Sequence, residues 1–334
     1  MQMPNKEKSF KTKVKSLTSN LVRSEKLTLL LALVAILIVF QCLNKNYLTR
    51  NNIINILLSM SISGLVAVGE TYLAVAGHMD MSCGAVAAFS GVLVSKLMME
   101  FGFAPFAAVP VVLVAGACVG LINAFLVNWL RFNHFIATLA TKSIFRGMAY
   151  LICNGKSIYI NNESFTKLGT GRFLGVPIPV YIFIVVIFIF GFILSSTRFG
   201  RSIYMIGGNA TAARLAGLNQ KKVKSIIFAL TSMLSALGGV ILAARINSGQ
   251  PSSSATLEFD AITGAVLGGV ALSGGIGTMG GCLIGLLIMN AFNNGLSVMN
   301  VQTFWQDVSK GLLLVAALTL DYVRTRQRES IKFS

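Results

Sequence analysis

The chain has 334 residues, 54% of them hydrophobic and only 12% charged, with 32 Gly, 6 Pro and a formal net charge of +17. A soluble domain carries roughly 25% charged residues, so this composition excludes an ordinary water-facing fold. The basic excess resembles the footprint of nucleic-acid binding, but the charges cluster at the ends of apolar runs, which excludes nucleic acid as a partner.

Lys6, Lys8, Lys11, Lys13, Lys15, Arg23 and Lys26 make residues 1–26 a basic N-terminal segment. The apolar run at 27–43 follows this mostly polar stretch without a small-x-small cleavage site, so it reads as an uncleaved first span. A short loop at 44–52 leads to span two, 53–76, which ends at a break over residues 77–82. Spans three, four and five are 83–99, 104–130 and 135–152. The polar segment 153–176 precedes span six at 178–195, and the loop 196–224 carries a second basic cluster of Arg198, Arg201, Arg214, Lys221, Lys222 and Lys224. Spans seven to ten are 225–244, 259–272, 276–297 and 305–320, and a basic tail, 321–334, closes the chain with Arg324, Arg326, Arg328 and Lys332.

Apolar runs of about 18 to 25 residues cross a hydrocarbon core of about 30 Å, and their lack of strict alternation excludes a β-barrel. The fold class is therefore an all-α polytopic membrane protein with about ten transmembrane helices. The positive-inside rule puts the three basic clusters and both termini in the cytoplasm, which requires an even number of spans. Trp129 and Trp305 fall near predicted interfaces. Asn123-Ala124-Phe125 in span four and Asn290-Ala291-Phe292 in span nine stand five spans apart, a hint of an inverted repeat. Gly277, Gly281 and Gly285, four residues apart beside a short span eight, suit close helix packing or a broken helix lining a path.

Ionisable residues within apolar runs are costly and mark functional sites by default. Glu70, Asp80, Lys96, Lys142, Arg146, Asp307 and Lys310 qualify. Asp80 suits a cap for span three, Lys96 can snorkel, and Asp307 and Lys310 suit an interface. Glu70 lies mid-run and needs a hydrated path or a cation from another span. Asn123, Asn290 and Asn294 read either as path residues or as interhelical hydrogen-bond formers. The five cysteines, Cys42, Cys83, Cys118, Cys153 and Cys282, are odd in number and form no CxxC pair, so they read as packing residues without a disulfide or metal. Gly155-Lys156-Ser157 imitates the tail of a phosphate-binding loop, but Tyr150 occupies its first glycine position. With no convergent catalytic set, the chain reads as a transporter and not an enzyme.

In the loop 196–224, Asn209 is a good N-cap, residues 210–216 favour helix, and Gly217 suits a left-handed C′ position. A helix of about two turns is marginal alone and must dock on something. This segment resembles the coupling helix of ribose-type permeases of bacterial ATP-driven (ABC) importers, in which an Ala-Ala-x-x-x-Gly core sits in a cleft of the ATPase subunit. Three further segments, in order, resemble the same family. They are Gly77-His78-Met79-Asp80-Met81-Ser82-Cys83-Gly84, Asn133-His134-Phe135-Ile136-Ala137-Thr138-Leu139, and the stretch from Asp260-Ala261-Ile262 through Leu267-Gly268-Gly269 and Ser273-Gly274-Gly275 to Asn294-Gly295-Leu296. The likeness covers about 27–320, with His78 in place of a usual Gly and His134 in place of a usual Pro.

The resemblance implies a permease fold over 27–320 in a bacterial inner membrane, importing a ribose-like monosaccharide by alternating access. It also implies a homodimer, surrounded by membrane lipid, working with an ABC ATPase subunit and a periplasmic or lipid-anchored sugar-binding protein. No cofactor is expected in this chain, ATP and Mg belonging to the partner ATPase. Asn209, Ala212, Ala213, Arg214 and Gly217 are the implied ATPase contact. Glu70, Asp80, Asn123, Thr138, Asn290 and Asn294 are candidates for the translocation path. A branched-chain amino-acid permease of the same class and a self-sufficient secondary transporter are the alternatives.

Overall fold

A computed structural model describes residues 25–332. The N-terminal basic cluster up to Arg23 and the side chains of the C-terminal cluster lie outside the described residues. Within them the chain forms thirteen helices and four two-residue strands. It is an all-α polytopic membrane protein. Each of the ten predicted spans is a single helix, and their bounds are α1 (Glu25–Leu43), α2 (Arg50–Val75), α3 (Cys83–Met99), α4 (Pro105–Asn128) and α5 (His134–Ile152), then α7 (Ile178–Ser196), α10 (Gln220–Ile246), α11 (Leu257–Leu267), α12 (Met279–Val298) and α13 (Thr303–Lys332). Six of these, α2, α4, α5, α7, α10 and α12, are long and apolar enough to cross a membrane by those measures alone. The remaining helices are α6 (Glu163–Thr170), α8 (Arg198–Gly208) and α9 (Ala210–Leu215).

Helix ends fall where the sequence supplies a partner for the free backbone N–H groups. Asn133, Asn219 and Thr278 cap α5, α10 and α12, accepting from Phe135, Lys222 and Gly281 at 2.9, 3.1 and 3.0 Å. The centre of the bundle is the pair α2 and α10. Every residue of α2 from Met60 to Ala74 is buried, so this helix is surrounded by protein on all sides, unlike an amphipathic lipid-facing one. α10 packs along α2, α3 and α4. Gly120 and Gly116 of α4 make that approach possible, because a Cβ at Gly120 would overlap the Phe228 carbonyl oxygen and one at Gly116 would stand 3.0 Å from the Ser232 carbonyl oxygen.

At one end of the bundle, β1 (Ile158–Tyr159) pairs antiparallel with β4 (Ser248–Gly249), and β2 (Arg172–Phe173) pairs with β3 (Val176–Pro177). The opposite end carries α8 and α9. The two ends are linked by two broken spans, α3 and α11. α3 has 17 residues and α11 has 11, and each begins only after an irregular stretch, residues 76–82 and 247–256 respectively.

The starts of these two helices meet. A Cβ on Gly84, in the first turn of α3, would overlap the Glu258 carboxylate and the Ser254 carbonyl oxygen at the start of α11. From there α3 runs toward the β4 end, where Gly249 packs on Ser95, and α11 runs the other way, where Gly268 packs on Gly281. Two broken spans five apart in order, diverging from one meeting point, suit the inverted repeat that the sequence hints at. The Asn-Ala-Phe triplets do not share a role in it, since Asn123 bonds to the 76–82 break and Asn290 bonds to Ser63 of α2. Gly281 and Gly285 pack against Gly268 and Gly264, so these two glycines serve the close contact of α11 with α12.

Candidate functional site

The break at residues 76–82 is held by side chains from four helices. Asp80 is fully buried and accepts from the Ser82 N–H at 2.8 Å, the Ser82 hydroxyl at 2.5 Å, the Asn123 amide at 3.0 Å and the Ser232 hydroxyl at 3.4 Å. Asn123 of α4 also donates to the Ser82 hydroxyl at 2.9 Å, leaving its own carbonyl oxygen buried without a partner. Asp80 thus closes a turn onto Ser82 and ties it to α4 and α10, while the helix-cap position itself belongs to Ser82, which makes no side-chain cap bond. Glu70 of α2 accepts from the Asp80 N–H at 3.4 Å and from the Cys83 thiol at 3.1 Å. Thr138 of α5 accepts from the Met81 N–H at 3.0 Å and donates its hydroxyl to the His134 carbonyl at 2.8 Å. The ring of His134, at the start of α5, lies with its centre 5.2 Å from that of His78 on the break.

Four of the six path candidates, Glu70, Asp80, Asn123 and Thr138, therefore converge on one irregular segment inside the chain. Buried polar groups must find partners, and here Glu70, Asp80 and Thr138 accept from backbone N–H groups of residues 80–82 while Asn123 bonds to the Asp80 and Ser82 side chains. Asn290 and Asn294 lie elsewhere, between α12 and α2. Asn290 donates to the Ser63 hydroxyl at 3.2 Å, and Asn294 exchanges two bonds with Asn52, at 2.7 and 3.0 Å.

The second break is held from α5. Lys142 pairs with the fully buried Glu258, and Arg146, one turn on, donates to the carbonyl oxygens of Pro251 and Ser253 at 2.7 and 2.6 Å. Glu258 and Ser232 were not flagged by the sequence. The predicted span eight starts at 259, one residue beyond Glu258, whereas α11 begins at Leu257 and ends five residues before the predicted limit. The missed signal was a carboxylate and a matching pair of cations, Lys142 and Arg146, in a chain with only 11 acidic residues.

α9 is the third element. Asn209 accepts from the Ala212 N–H at 2.9 Å, and Gly217, at φ +81°, ends the helix with the Leu218 N–H returning to the Ala213 carbonyl at 3.1 Å. That return bond is a Schellman stop, which needs a residue without a Cβ penalty at the left-handed position. Only Ala213 of this helix is buried. Ala212, Arg214 and Leu215 are exposed. Through α8 the helix reaches the edge of the first break and the loop after α11, because a Cβ on Gly207 would overlap the Val75 carbonyl oxygen at the end of α2, and Gly274 and Gly275 pack on Gly207 and Gly208. The Gly275 N–H donates to that same Val75 carbonyl at 2.8 Å.

This membrane bundle, with two broken spans and a helix pair projecting from one end, belongs to the class of transport permeases. Residues 52–318 match the family described as branched-chain amino acid transport system / permease component, and the chain belongs to it. It is 40% identical to the ribose import permease protein of Bacillus subtilis over 89% of this chain and 92% of that protein. It is 38% identical to the L-arabinose ABC transporter permease protein of Azospirillum brasilense, over 86% of this chain and 84% of that one. The ribose import permease protein of Escherichia coli K12 is 36% identical over 87% and 92%.

Proposed function

We propose that the chain is the membrane-spanning permease subunit of an ATP-driven importer for a sugar of the pentose or hexose class. Family membership supports the permease role, and relatives named for ribose and arabinose support a sugar over a branched-chain amino acid. The end bearing α8 and α9 is cytoplasmic in this reading, as the basic residues Arg198, Arg201, Arg214, Lys221, Lys222 and Lys224 of its loop favour. The exposed surface of α9, with Asn209, Ala212, Arg214 and the Gly217 stop, docks in a separate ATPase subunit, which binds ATP and Mg. Exposed Tyr159, Phe173 and Leu174 at the far end offer an apolar platform to a sugar-binding protein.

A second copy completes the path. Lys142 lies near the middle of α5 and is a quarter exposed, and beside it Phe259 and the Asp260–Lys310 pair, 3.6 Å apart, border a cavity of about 220 Å³ between α11 and α13. Charged groups at that depth face protein or a water-filled cavity, not hydrocarbon. The α5, α11 and α13 face therefore meets its copy, and the sugar crosses between them. Glu70, Asp80, Asn123 and Thr138 act from within, setting the shape of the 76–82 break that moves between the outward and inward states. Asn290 and Asn294 keep α12 on α2 as the path opens.

The observation that carries this reading is α9, a capped helix presented almost bare and joined through α8 to the end of α2 and the loop that follows α11. Vesicles containing the chain, its ATPase and its binding protein test it through labelled ribose and arabinose uptake. Gly217→Val places a β-branched residue in the left-handed region and undoes the stop, at a cost of about 1 kcal/mol or more of local backbone energy. The expected result is wild-type membrane content with ATP-coupled uptake lost, and normal uptake by that variant overturns the assignment.

A further inference from the structure

The seam between α4 and α10 holds an open groove of about 570 Å³, outside all the contacts assigned above. Ala117 and Leu121 of α4 form one wall, Ala229 and Met233 of α10 the other, and Lys221, Lys222 and Trp129 stand at its mouth. From mouth to floor the groove follows twelve residues along each helix, from 129 back to 117 and from 221 to 233. That is about 18 Å of helix, close to the depth of one leaflet of a core about 30 Å thick. The size also falls in the roughly 300–1,000 Å³ range of small-molecule sites.

The mouth is chemically unlike the walls. Trp129 is half exposed at the end of α4, at the level where indole rings favour the headgroup boundary. The Lys221 ammonium lies 5.4 Å from the centre of that ring. Lys221 and Lys222 sit in the first turn of α10, which carries no acidic residue. Cations at the positive end of a helix are disfavoured, and an anion placed there offsets both the lysines and the helix dipole. The positive-inside rule accounts for lysines anywhere in the loop, but not for an apolar slot one leaflet deep beneath them.

We propose that this groove binds one anionic phospholipid, with its phosphate on Lys221 and Lys222 beside Trp129 and an acyl chain between α4 and α10. A zwitterionic lipid would carry its own cation to the same two lysines and is selected against. Assignment to the inner leaflet rests on the cytoplasmic placement of α8 and α9 above, whereas the lipid class does not.

The chain has two tryptophans, so Trp305→Phe leaves Trp129 as the sole tryptophan, excited selectively over the tyrosines at the red edge of absorption. The purified variant is placed in vesicles containing brominated phosphatidylglycerol or brominated phosphatidylcholine at matched fractions, with no ATP or sugar, so a failure here is separate from a failure of uptake. Phosphatidylglycerol is expected to quench at a lower fraction, by about five-fold for each lysine engaged. Lys221→Gln with Lys222→Gln should abolish that preference, and Ala229→Phe, which fills the slot and keeps the charges, should weaken quenching by both lipids. Equal quenching by the two lipids, or a preference that survives loss of the lysines, overturns the proposal. Quenching by neither lipid overturns it too, since another polypeptide would then cover the groove.

Discussion

Asp80 carries more of the break than any other residue. Its carboxylate takes four donors, and removing it leaves the Ser82 N–H, the Asn123 amide and the two hydroxyls of Ser82 and Ser232 short of an acceptor in a buried place. Each such group costs about 1–3 kcal/mol, so Asp80→Ala should destabilise the chain by at least about 3 kcal/mol. Asp80→Asn is a finer probe. Its new amide would face the amide of Asn123, donor against donor, unless Asn123 turns to offer the carbonyl oxygen that now has no partner. That turn in its place removes a donor from Ser82, so an intermediate loss is expected. Combining Asp80→Asn with Asn123→Asp restores one acid and one amide across the same gap, and thermal unfolding in detergent should recover most of the loss. A double variant no better than either single one would show that the pair does not hold the break as described.

At the scale of elements, the close approaches are made by glycines whose replacement has opposite signs. At Gly84 a Cβ would strike the Glu258 carboxylate and the Ser254 backbone, pushing apart the two broken spans and the Lys142 pair behind them. Gly84→Ala should cost about 1–3 kcal/mol, as overpacking does, and reduce uptake. Gly280, in the first turn of α12, has open space where a Cβ would stand, so Gly280→Ala should raise stability by up to about 1 kcal/mol through helix propensity. Unfolding midpoints of the two variants check both signs in one experiment. The contrast also marks what a sequence can reveal. α3 was legible to the residue, because an apolar run starting at Cys83 after a polar break has only one local solution. Asn209 and Gly217 were legible for the same reason, each stop being written in the residues that make it. α11 was not, since residues 247–256 enter the bundle by virtue of Arg146 and Glu258 contacts about a hundred residues away in sequence. The convergence of Glu70, Asp80, Asn123 and Thr138 was hidden likewise, for their candidacy came from charge, polarity and resemblance while their common target is a fold of backbone.

For the molecule as a whole, the decisive asymmetry is between faces. The exposed residues along the middle of α7 are Phe, Ile and Val, as in Phe188, Val185 and Ile184, and no charged residue falls within it. The α5, α11 and α13 face shows Lys142, Asp260 and Lys310 at partial exposure, and α13 packs on α11 and α12 with little else to support it. Charged groups at membrane depth cost more to expose to hydrocarbon than the apolar residues of α7, so the proposed dimer places its second copy on the α5, α11 and α13 face. Ser143 and Gly147 are exposed on the same side of α5 one turn apart, and a cysteine at either would meet its counterpart near a two-fold axis. In a background with exposed Cys42 and Cys118 replaced by Ser, Ser143→Cys or Gly147→Cys should form a disulfide-linked dimer in membranes on mild oxidation. Phe188→Cys on α7 should stay monomeric under the same treatment. Cross-linking through α7 and not α5 would move the second copy, and with it the path, to the other side of the bundle.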